Sequence, residues 1–194
     1  MANPARILTT LVRLPANESL NAVNTVRGFL TPSECKQVVE VGRSGLDAGD
    51  MTEPPPGGLR CASLQWIFPG AESEWFFAKL ETALADINKG YRFDLKGFFQ
   101  GARVATLADG GVFDWHTDLG PGQNSTRKLS VLVQLNDPRD YDGGELEYRV
   151  ADASGADEIG ALTVFPSYLE YRLRPVTRGE RVMLLSWISG PAFK

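Results

Sequence analysis

The chain has little histidine, little cysteine and no long apolar run. Its 194 residues include one histidine and two cysteines, Cys35 and Cys61, and no stretch approaches the roughly 18 consecutive apolar residues that a membrane span needs. The N-terminal segment shows no sustained apolar core or small-residue cleavage site, so no signal peptide is predicted. Without one, both cysteines are expected to be reduced, buried thiols, and the expected compartment is the cytoplasm.

An excess of positive charge is also absent. The 20 lysines and arginines against 24 aspartates and glutamates give a net charge of −4, with no basic run. Nucleic acid and anionic membranes are therefore not expected as partners. The length suits one domain, residues 1–194, and the composition is ordinary for a globular protein.

Two helices are predicted in the N-terminal half. In the first, Thr31 is a candidate N-cap and Glu34 completes a capping box. The second is predicted to begin near Ser73 and to stop at Gly90, because its apolar residues recur at helical spacing. Between the helices, MTEPPPGG at 51–58 predicts an extended or turning loop that either borders a site or only connects.

Residues with β-branched and aromatic side chains dominate the second half. RKLSVLVQLN, ALTVFPSYLEYRLRPV and RVMLLSWI are separated by turn signals such as DLGPGQNS, NDPRDYDGG and TRGE. Strands at this rhythm predict an antiparallel sandwich or barrel. The expected fold is α+β, mainly β with N-terminal helices. We expect a helical support region at about 25–95 and a β-rich core at about 96–194.

The only histidine, His116, lies two positions before Asp118 in VFDWHTDLG. If this segment is a strand, both side chains project from one face, because residues i and i+2 share a face. A neutral imidazole beside a carboxylate is half of a divalent-metal site, and one recurrent non-haem iron site uses two histidines and one carboxylate. A hydrogen-bonded pair in which Asp118 orients the ring is the simpler alternative.

Further motifs follow this triplet in a fixed order. They are WHTD at 115–118, RKLSVLVQLN at 127–136, YDGGELEY at 141–148, VFPS at 164–167, RPVTRGER at 174–181 and LLSWI at 184–188. With these motifs, residues 100–194 resemble the iron(II)- and 2-oxoglutarate-dependent dioxygenases of the prolyl-4-hydroxylase-like group. The resemblance implies a double-stranded β-helix (jelly-roll) core with the site at one mouth.

The resemblance also implies cofactors and a reaction. Iron(II) would be bound by His116 and Asp118, and the far carboxylate of 2-oxoglutarate by Arg181, whose planar fork suits a carboxylate. Thr177 and Trp187 are expected to support this cosubstrate. The implied reaction uses O2 and 2-oxoglutarate to oxidise an unactivated C–H bond, by hydroxylation or a related oxidation. Succinate and carbon dioxide would be released.

The implied substrate is a small molecule or an amino-acid or peptidyl group. Its predicted contacts come from the mouth of the barrel, at Trp115, Asp114 and Arg127, and from the loop at 51–58. For each of them a structural role is an open alternative. Arg127 in particular is placed where it could simply begin a strand.

One position departs from the family pattern. Where the family has its distal histidine, this chain has Tyr171. We expect Tyr171 to act with His116 and Asp118 as the third metal ligand, because a bound cation favours deprotonation of its ligand, and the resulting phenolate would favour ferric iron. Two alternatives stay open. Tyr171 lines a site whose metal rests on two protein ligands, 2-oxoglutarate and water, or the protein is a catalytically silent relative that binds 2-oxoglutarate, metal or a partner.

Leu107 is a second departure, since many relatives have a tyrosine that contacts the cosubstrate at about this position. The cosubstrate pocket is therefore expected to be less polar on one wall. Two other classes fit the sequence poorly. A hydrolase would need a nucleophile motif such as G-x-S-x-G, which is missing, and a cupin-type binding protein usually supplies several histidines.

Overall fold

The computed structural model describes residues 16–45, 59–149 and 158–193, so the predicted loop at 51–58 lies outside the described residues. The helices are α1 (Pro32–Arg43) and α2 (Glu74–Tyr91), with 3-10 turns at Glu18–Asn21, Gly122–Thr126 and Pro138–Asp140. The strands are β1 (Asn24–Val26), β2 (Ser63–Ile67), β3 (Ala102–Leu107), β4 (Phe113–His116), β5 (Arg127–Gln134), β6 (Tyr141–Gly143), β7 (Leu146–Tyr148), β8 (Leu162–Pro166), β9 (Tyr171–Leu173), β10 (Val176–Gly179) and β11 (Arg181–Ser189).

Six strands form an antiparallel major sheet in the order β1-β8-β5-β11-β3-β2. A minor sheet contains β4, β9 and β7 in that order, and β10 pairs with β6. The prediction of a mainly β fold with N-terminal helices is confirmed. The region expected to be a helical support also supplies β1 and β2, the two edge strands of the major sheet.

The central strand β5 shows how the sequence builds two cores. All eight of its residues are buried, and successive side chains point to opposite faces. Leu129, Val131 and Val133 join the apolar cluster that contains the buried faces of α1 and α2. Leu132 joins a second cluster, which contains the residues of the minor sheet. The major sheet is thus covered by helices on one face and by the minor sheet on the other.

The start of α1 and the end of α2 can be compared with the positions predicted from the sequence. Thr31 and Glu34 form the predicted capping box at the start of α1. The predicted stop of α2 at Gly90 is wrong, because the helix continues to Tyr91 and Arg92 caps it in the left-handed conformation at φ 59°. The Asn88 side chain bonds both the amide and the carbonyl of Phe93, which stabilises this exit.

No disulfide joins Cys35 and Cys61; Cys35 is buried and Cys61 is half-buried. In the part of the chain that the structure describes, neither helix has the length and apolar content that crossing a bilayer would require.

Candidate metal centre and cosubstrate site

His116 is the last residue of β4 and lies opposite Tyr171 of β9 in the minor sheet. Its ring is buried against Phe113, with centroids 3.6 Å apart. Nδ1 lies 2.6 Å from the backbone oxygen of Asp114, and because a carbonyl only accepts, Nδ1 carries the proton. Burial lowers the pKa of His116, so the ring is neutral and its Nε2 atom offers a lone pair.

Asp118 lies two residues beyond the end of β4 and is 1% exposed. Its Oδ2 atom accepts hydrogen bonds from Ser130 at 2.5 Å and from Tyr171 at 3.1 Å. Its Oδ1 atom lies 3.7 Å from His116 Nε2. Neither of these two atoms has a hydrogen-bond partner within the described ranges. A nitrogen lone pair and a carboxylate oxygen therefore face each other in the interior; we call this pair the His–Asp pair.

Tyr171 is fully buried beside the His–Asp pair. Its ring centroid lies 4.3 Å from that of His116 and 4.8 Å from that of Phe165. Burial, followed by the negative charge of Asp118, raises the pKa of Tyr171 well above its ordinary value. The hydroxyl is therefore protonated and donates to Asp118. The structure brings the three predicted metal ligands together, with the phenol bonded to the carboxylate.

Arg127 supports the backbone of Asp118. It is 2% exposed, its Nη1 atom donates to the backbone oxygen of Asp118 at 3.2 Å, and Nε and Nη2 donate to Gln100. The guanidinium also lies 3.8 Å from the ring centroid of Trp187. These donors are directed at the protein itself, so Arg127 positions the segment of Asp118. Its contact with a substrate stays a prediction. Trp187 is buried in the same group, opposite Ser130 in the pairing of β11 with β5.

Arg181 begins β11 and is also buried. Its Nε atom donates to the side chain of Gln134 at 3.0 Å, and Nη1 donates to the backbone oxygen of Gly144. Gly144 has a φ of +74°, and a Cβ atom there would lie 3.2 Å from Cδ of Arg181. The GGEL turn therefore makes room for this guanidinium. Leu107 lies opposite Arg181 in β3 and is fully buried, so the side chain beside the arginine on that strand is apolar.

Three other residues predicted to contact the cosubstrate or the substrate are exposed or half-buried. Thr177 is exposed on β10, and its hydroxyl donates to the backbone oxygen of Asp142. Asp114 is exposed, and its carboxylate accepts a hydrogen bond from the amide of Trp115. Trp115 is half-buried and flanked by the guanidiniums of Arg149 and Arg172, at 4.4 and 4.7 Å from its ring centroid.

Sequence reasoning missed four polar residues of the site. Ser130 bonds Asp118 and lies 3.1 Å from the hydroxyl of Ser167, Gln134 bonds Arg181, and the hydroxyl of Tyr148 is buried among the minor-sheet aromatics. The sequence could have indicated two of them. Ser130 and Gln134 are polar residues on a strand that is otherwise rich in apolar residues, and buried polar groups need hydrogen-bond partners.

The donor set fits a divalent transition metal. Neutral imidazole nitrogen and carboxylate oxygen are the ligand types of non-haem iron(II) sites, and the two unpaired atoms of the His–Asp pair are the kind that a bound cation would satisfy. Among the described residues, no cluster of three histidine, cysteine, aspartate or glutamate side chains is present.

Comparison with known proteins agrees with this geometry. Residues 99–189 match the sequence profile of the 2OG-Fe(II) oxygenase superfamily. A PKHD-type hydroxylase of Teredinibacter turnerae is 39% identical over 87 residues, which cover 41% of this chain and 38% of that protein. One of Acidovorax ebreus is 37% identical over 89 residues, covering 42% and 39%. The chain thus spans about two fifths of the length of these curated relatives.

The segment that matches the sequence profile contains the His–Asp pair, Tyr171, Arg181 and Trp187. Solved structures extend the likeness of fold to most of the chain. A Pseudomonas putida prolyl-4-hydroxylase has a TM-score of 0.68 at 23% identity and covers 90% of this chain and 95% of its own. A viral collagen prolyl hydroxylase of Paramecium Bursaria Chlorella virus-1, in complex with 2OG, has a TM-score of 0.66 at 18% identity, covering 87% and 96%. A prolyl hydroxylase of Trichoplax adhaerens, in complex with a hypoxia inducible factor peptide fragment, has a TM-score of 0.66 at 17% identity, covering 87% and 84%.

Proposed function

We propose that the protein is an iron(II)- and 2-oxoglutarate-dependent oxygenase with a double-stranded β-helix core, which hydroxylates an unactivated C–H bond. The His–Asp pair is the observation that supports this function most directly. A buried lone pair and a buried carboxylate oxygen 3.7 Å apart cost stability in the absence of a partner, and a divalent cation would satisfy both. Homology of residues 99–189 to the superfamily supplies the chemical context.

In this proposal His116 and Asp118 bind the iron, and Tyr171 supplies the third protein ligand after it loses its proton. The iron would supply the activation of O2. The contribution of the chain is to fix the ligands: the carbonyl of Asp114 fixes the tautomer of His116, and Ser130 fixes Oδ2 of Asp118 so that Oδ1 is available. Such hydrogen bonds orient the ligands of a metal and tune its affinity.

Arg181 binds the far carboxylate of 2-oxoglutarate in the same proposal. Its guanidinium is buried and positioned by Gln134 and Gly144, and a buried guanidinium favours a carboxylate partner. Trp187 would form one wall of the cosubstrate site by packing. Because Thr177 is exposed and bonded elsewhere, we assign it no role.

We further propose an amino-acid or peptidyl substrate. The support is the likeness of fold to prolyl hydroxylases, of which the Trichoplax protein was solved with a peptide fragment. The proposed contacts are Trp115 and Asp114, which precede His116 on β4. The half-buried indole offers an apolar face, and the exposed carboxylate offers a hydrogen-bond acceptor.

The function is tested by anaerobic titration with iron(II) and 2-oxoglutarate. We expect a weak metal-to-ligand charge-transfer band in the visible spectrum that is absent from the Asp118→Ala variant. We expect O2 then to release succinate from 2-oxoglutarate. A protein that binds neither iron(II) nor 2-oxoglutarate overturns the proposal.

A catalytically silent relative is the second candidate, and the state of Tyr171 favours it. A protonated phenol that donates to Asp118 occupies the place of the third ligand without providing a lone pair directed at a metal. The silent protein would show the charge-transfer band but no succinate on exposure to O2. Turnover with formation of succinate would exclude it.

A further inference from the structure

The hydroxyl of Tyr148 is a buried polar group that the function proposed above does not use. Tyr148 ends β7 and is 8% exposed. Its ring contacts Phe165 edge-on, with centroids 5.0 Å apart, and it lies opposite Tyr171 in the pairing of β7 with β9. Among the residues that the structure describes, its hydroxyl has no hydrogen-bond partner.

A buried hydroxyl without a hydrogen-bond partner destabilises the folded protein, and a phenylalanine at this position would avoid that loss. Leaving a buried donor unpaired lowers the stability of the folded protein, whereas phenylalanine would fill nearly the same volume with no polar atom to satisfy. The aromatic contacts of Tyr148 with Phe165 and Tyr171 need only the ring. Packing alone therefore does not account for the hydroxyl, and a bound ligand would give it a partner.

The surroundings of Tyr148 indicate what kind of ligand this is. Burial is the main cause that raises the pKa of Tyr148 well above its ordinary value, so the hydroxyl stays protonated and acts as a donor. Tyr148 lies opposite Tyr171, whose hydroxyl bonds Asp118, and it follows four residues after Gly144, whose backbone oxygen bonds Arg181. The segment that ends at Tyr148 therefore connects the surroundings of Arg181 with those of the His–Asp pair. A molecule that joins the His–Asp pair to Arg181 would pass close to this donor.

We propose that Tyr148 is a cosubstrate-binding residue whose hydroxyl donates to a carboxylate of a 2-oxo dicarboxylic acid bound between the His–Asp pair and Arg181. This inference rests on the proposed function. The fully buried Leu107, opposite Arg181, offers no hydrogen bond. Tyr148 supplies a donor from the facing minor sheet, and a neutral donor to a carboxylate strengthens binding without adding charge.

The test compares Tyr148→Phe with Tyr168→Phe in the full chain. Tyr168 is the matched control, because its hydroxyl donates to the backbone oxygen of Leu20 at 2.6 Å and it is half-buried. Isothermal titration of the iron(II)-loaded, anaerobic proteins with 2-oxoglutarate measures the affinity. We expect Tyr148→Phe to bind roughly ten- to a hundredfold more weakly than the wild type, and Tyr168→Phe to bind equally well.

A second measurement separates ligand binding from a structural role. In the absence of metal and 2-oxoglutarate, Tyr148→Phe is expected to melt at the same temperature as the wild type or higher, since it loses no bond within the protein. A lower melting temperature, or an unchanged affinity for 2-oxoglutarate, overturns the role of Tyr148 while the proposed function stands. Failure of the wild type to bind 2-oxoglutarate overturns both proposals.

Discussion

Tyr171 lies opposite His116 where β9 pairs with β4, and its hydroxyl donates to Oδ2 of Asp118 at 3.1 Å. One phenol therefore contacts both members of the His–Asp pair, through its ring on one side and its hydroxyl on the other. Ser130 donates to the same oxygen at 2.5 Å. The two hydroxyls together orient the carboxylate, so that its second oxygen faces the imidazole.

The role of Tyr171 as a metal ligand is tested by Tyr171→Phe. If the phenolate binds the metal, oxidation of the iron-loaded wild type gives a visible phenolate-to-ferric charge-transfer band, and the variant gives none. Tyr168→Phe should keep the band, because Tyr168 bonds the backbone of Leu20. A wild type that shows no such band would leave Tyr171 as a hydrogen-bond donor to Asp118 only.

The substitution Asp118→Asn separates stability from metal binding. The amide nitrogen of an asparagine can face Nε2 of His116, which accepts, while its oxygen keeps the bonds from Ser130 and Tyr171. We expect the metal-free variant to be as stable as the wild type or about 1 kcal/mol more stable in urea unfolding, since it removes a buried charge. We expect iron(II) binding to be lost.

The control for this substitution is Asp86→Asn, which neutralises an exposed acid that contacts Lys89. Exposed ion pairs contribute little, so neither stability nor metal affinity should change measurably. If Asp118→Asn lowers the free energy of unfolding by several kcal/mol, the attraction between Asp118 and the nearby Arg127, at 4.0 Å, outweighs the cost of the unpaired oxygen.

The parts of the structure that the sequence predicts are local. The capping box of Thr31 and Glu34 needs only four consecutive residues. The nearness of His116 and Asp118 in sequence also brings them together, at 3.7 Å, although β4 ends at His116 and the predicted strand does not reach Asp118. The predicted end of α2 was wrong by one residue, because the side chain of Asn88 bonds the backbone of Phe93 beyond the helix. Such a bond is not visible in the apolar periodicity.

The polar shell of the site depends on contacts between distant segments. Ser130 meets Asp118 only because β5 lies beneath the end of β4, and Arg181 meets Gln134 only because β11 lies beside β5. The sequence pattern fixes which residues alternate along a strand but not the register between strands. The burial of Arg127 on Trp187 has the same origin, so its role in supporting the segment of Asp118 could not be predicted from the sequence.

The glycine of the GGEL turn provides a test of Arg181. Gly144→Ala places a methyl group at a φ of +74° and 3.2 Å from Cδ of Arg181. We expect the free energy of unfolding to fall by about 1–2 kcal/mol, the cost of the left-handed conformation, and the affinity for 2-oxoglutarate to fall at least several-fold, measured by isothermal titration.

Gly28→Ala is the matched control for this change. Gly28 has a φ of +60°, and a Cβ atom there would meet nothing within 4 Å. It should show a similar loss of stability with an unchanged affinity for 2-oxoglutarate. Equal losses of affinity in both variants would indicate that strain in the fold, and not displacement of Arg181, weakens binding.

The buried thiol of Cys35 predicts a pH dependence of stability that is independent of the site. Burial raises the pKa of Cys35 from the ordinary value of 9.0 to about 11. The folded state therefore favours the protonated thiol, and this contribution is complete below the unfolded pKa and is lost as the pH rises towards about 11. The difference in unfolding free energy between the wild type and Cys35→Ala should shrink by about 2 kcal/mol between pH 8 and pH 11. Val38 is a buried residue of the same helix and has no titratable group. The difference in unfolding free energy between the wild type and Val38→Ala should therefore not depend on pH. A constant difference for Cys35→Ala would mean that the thiolate is accommodated in the folded protein.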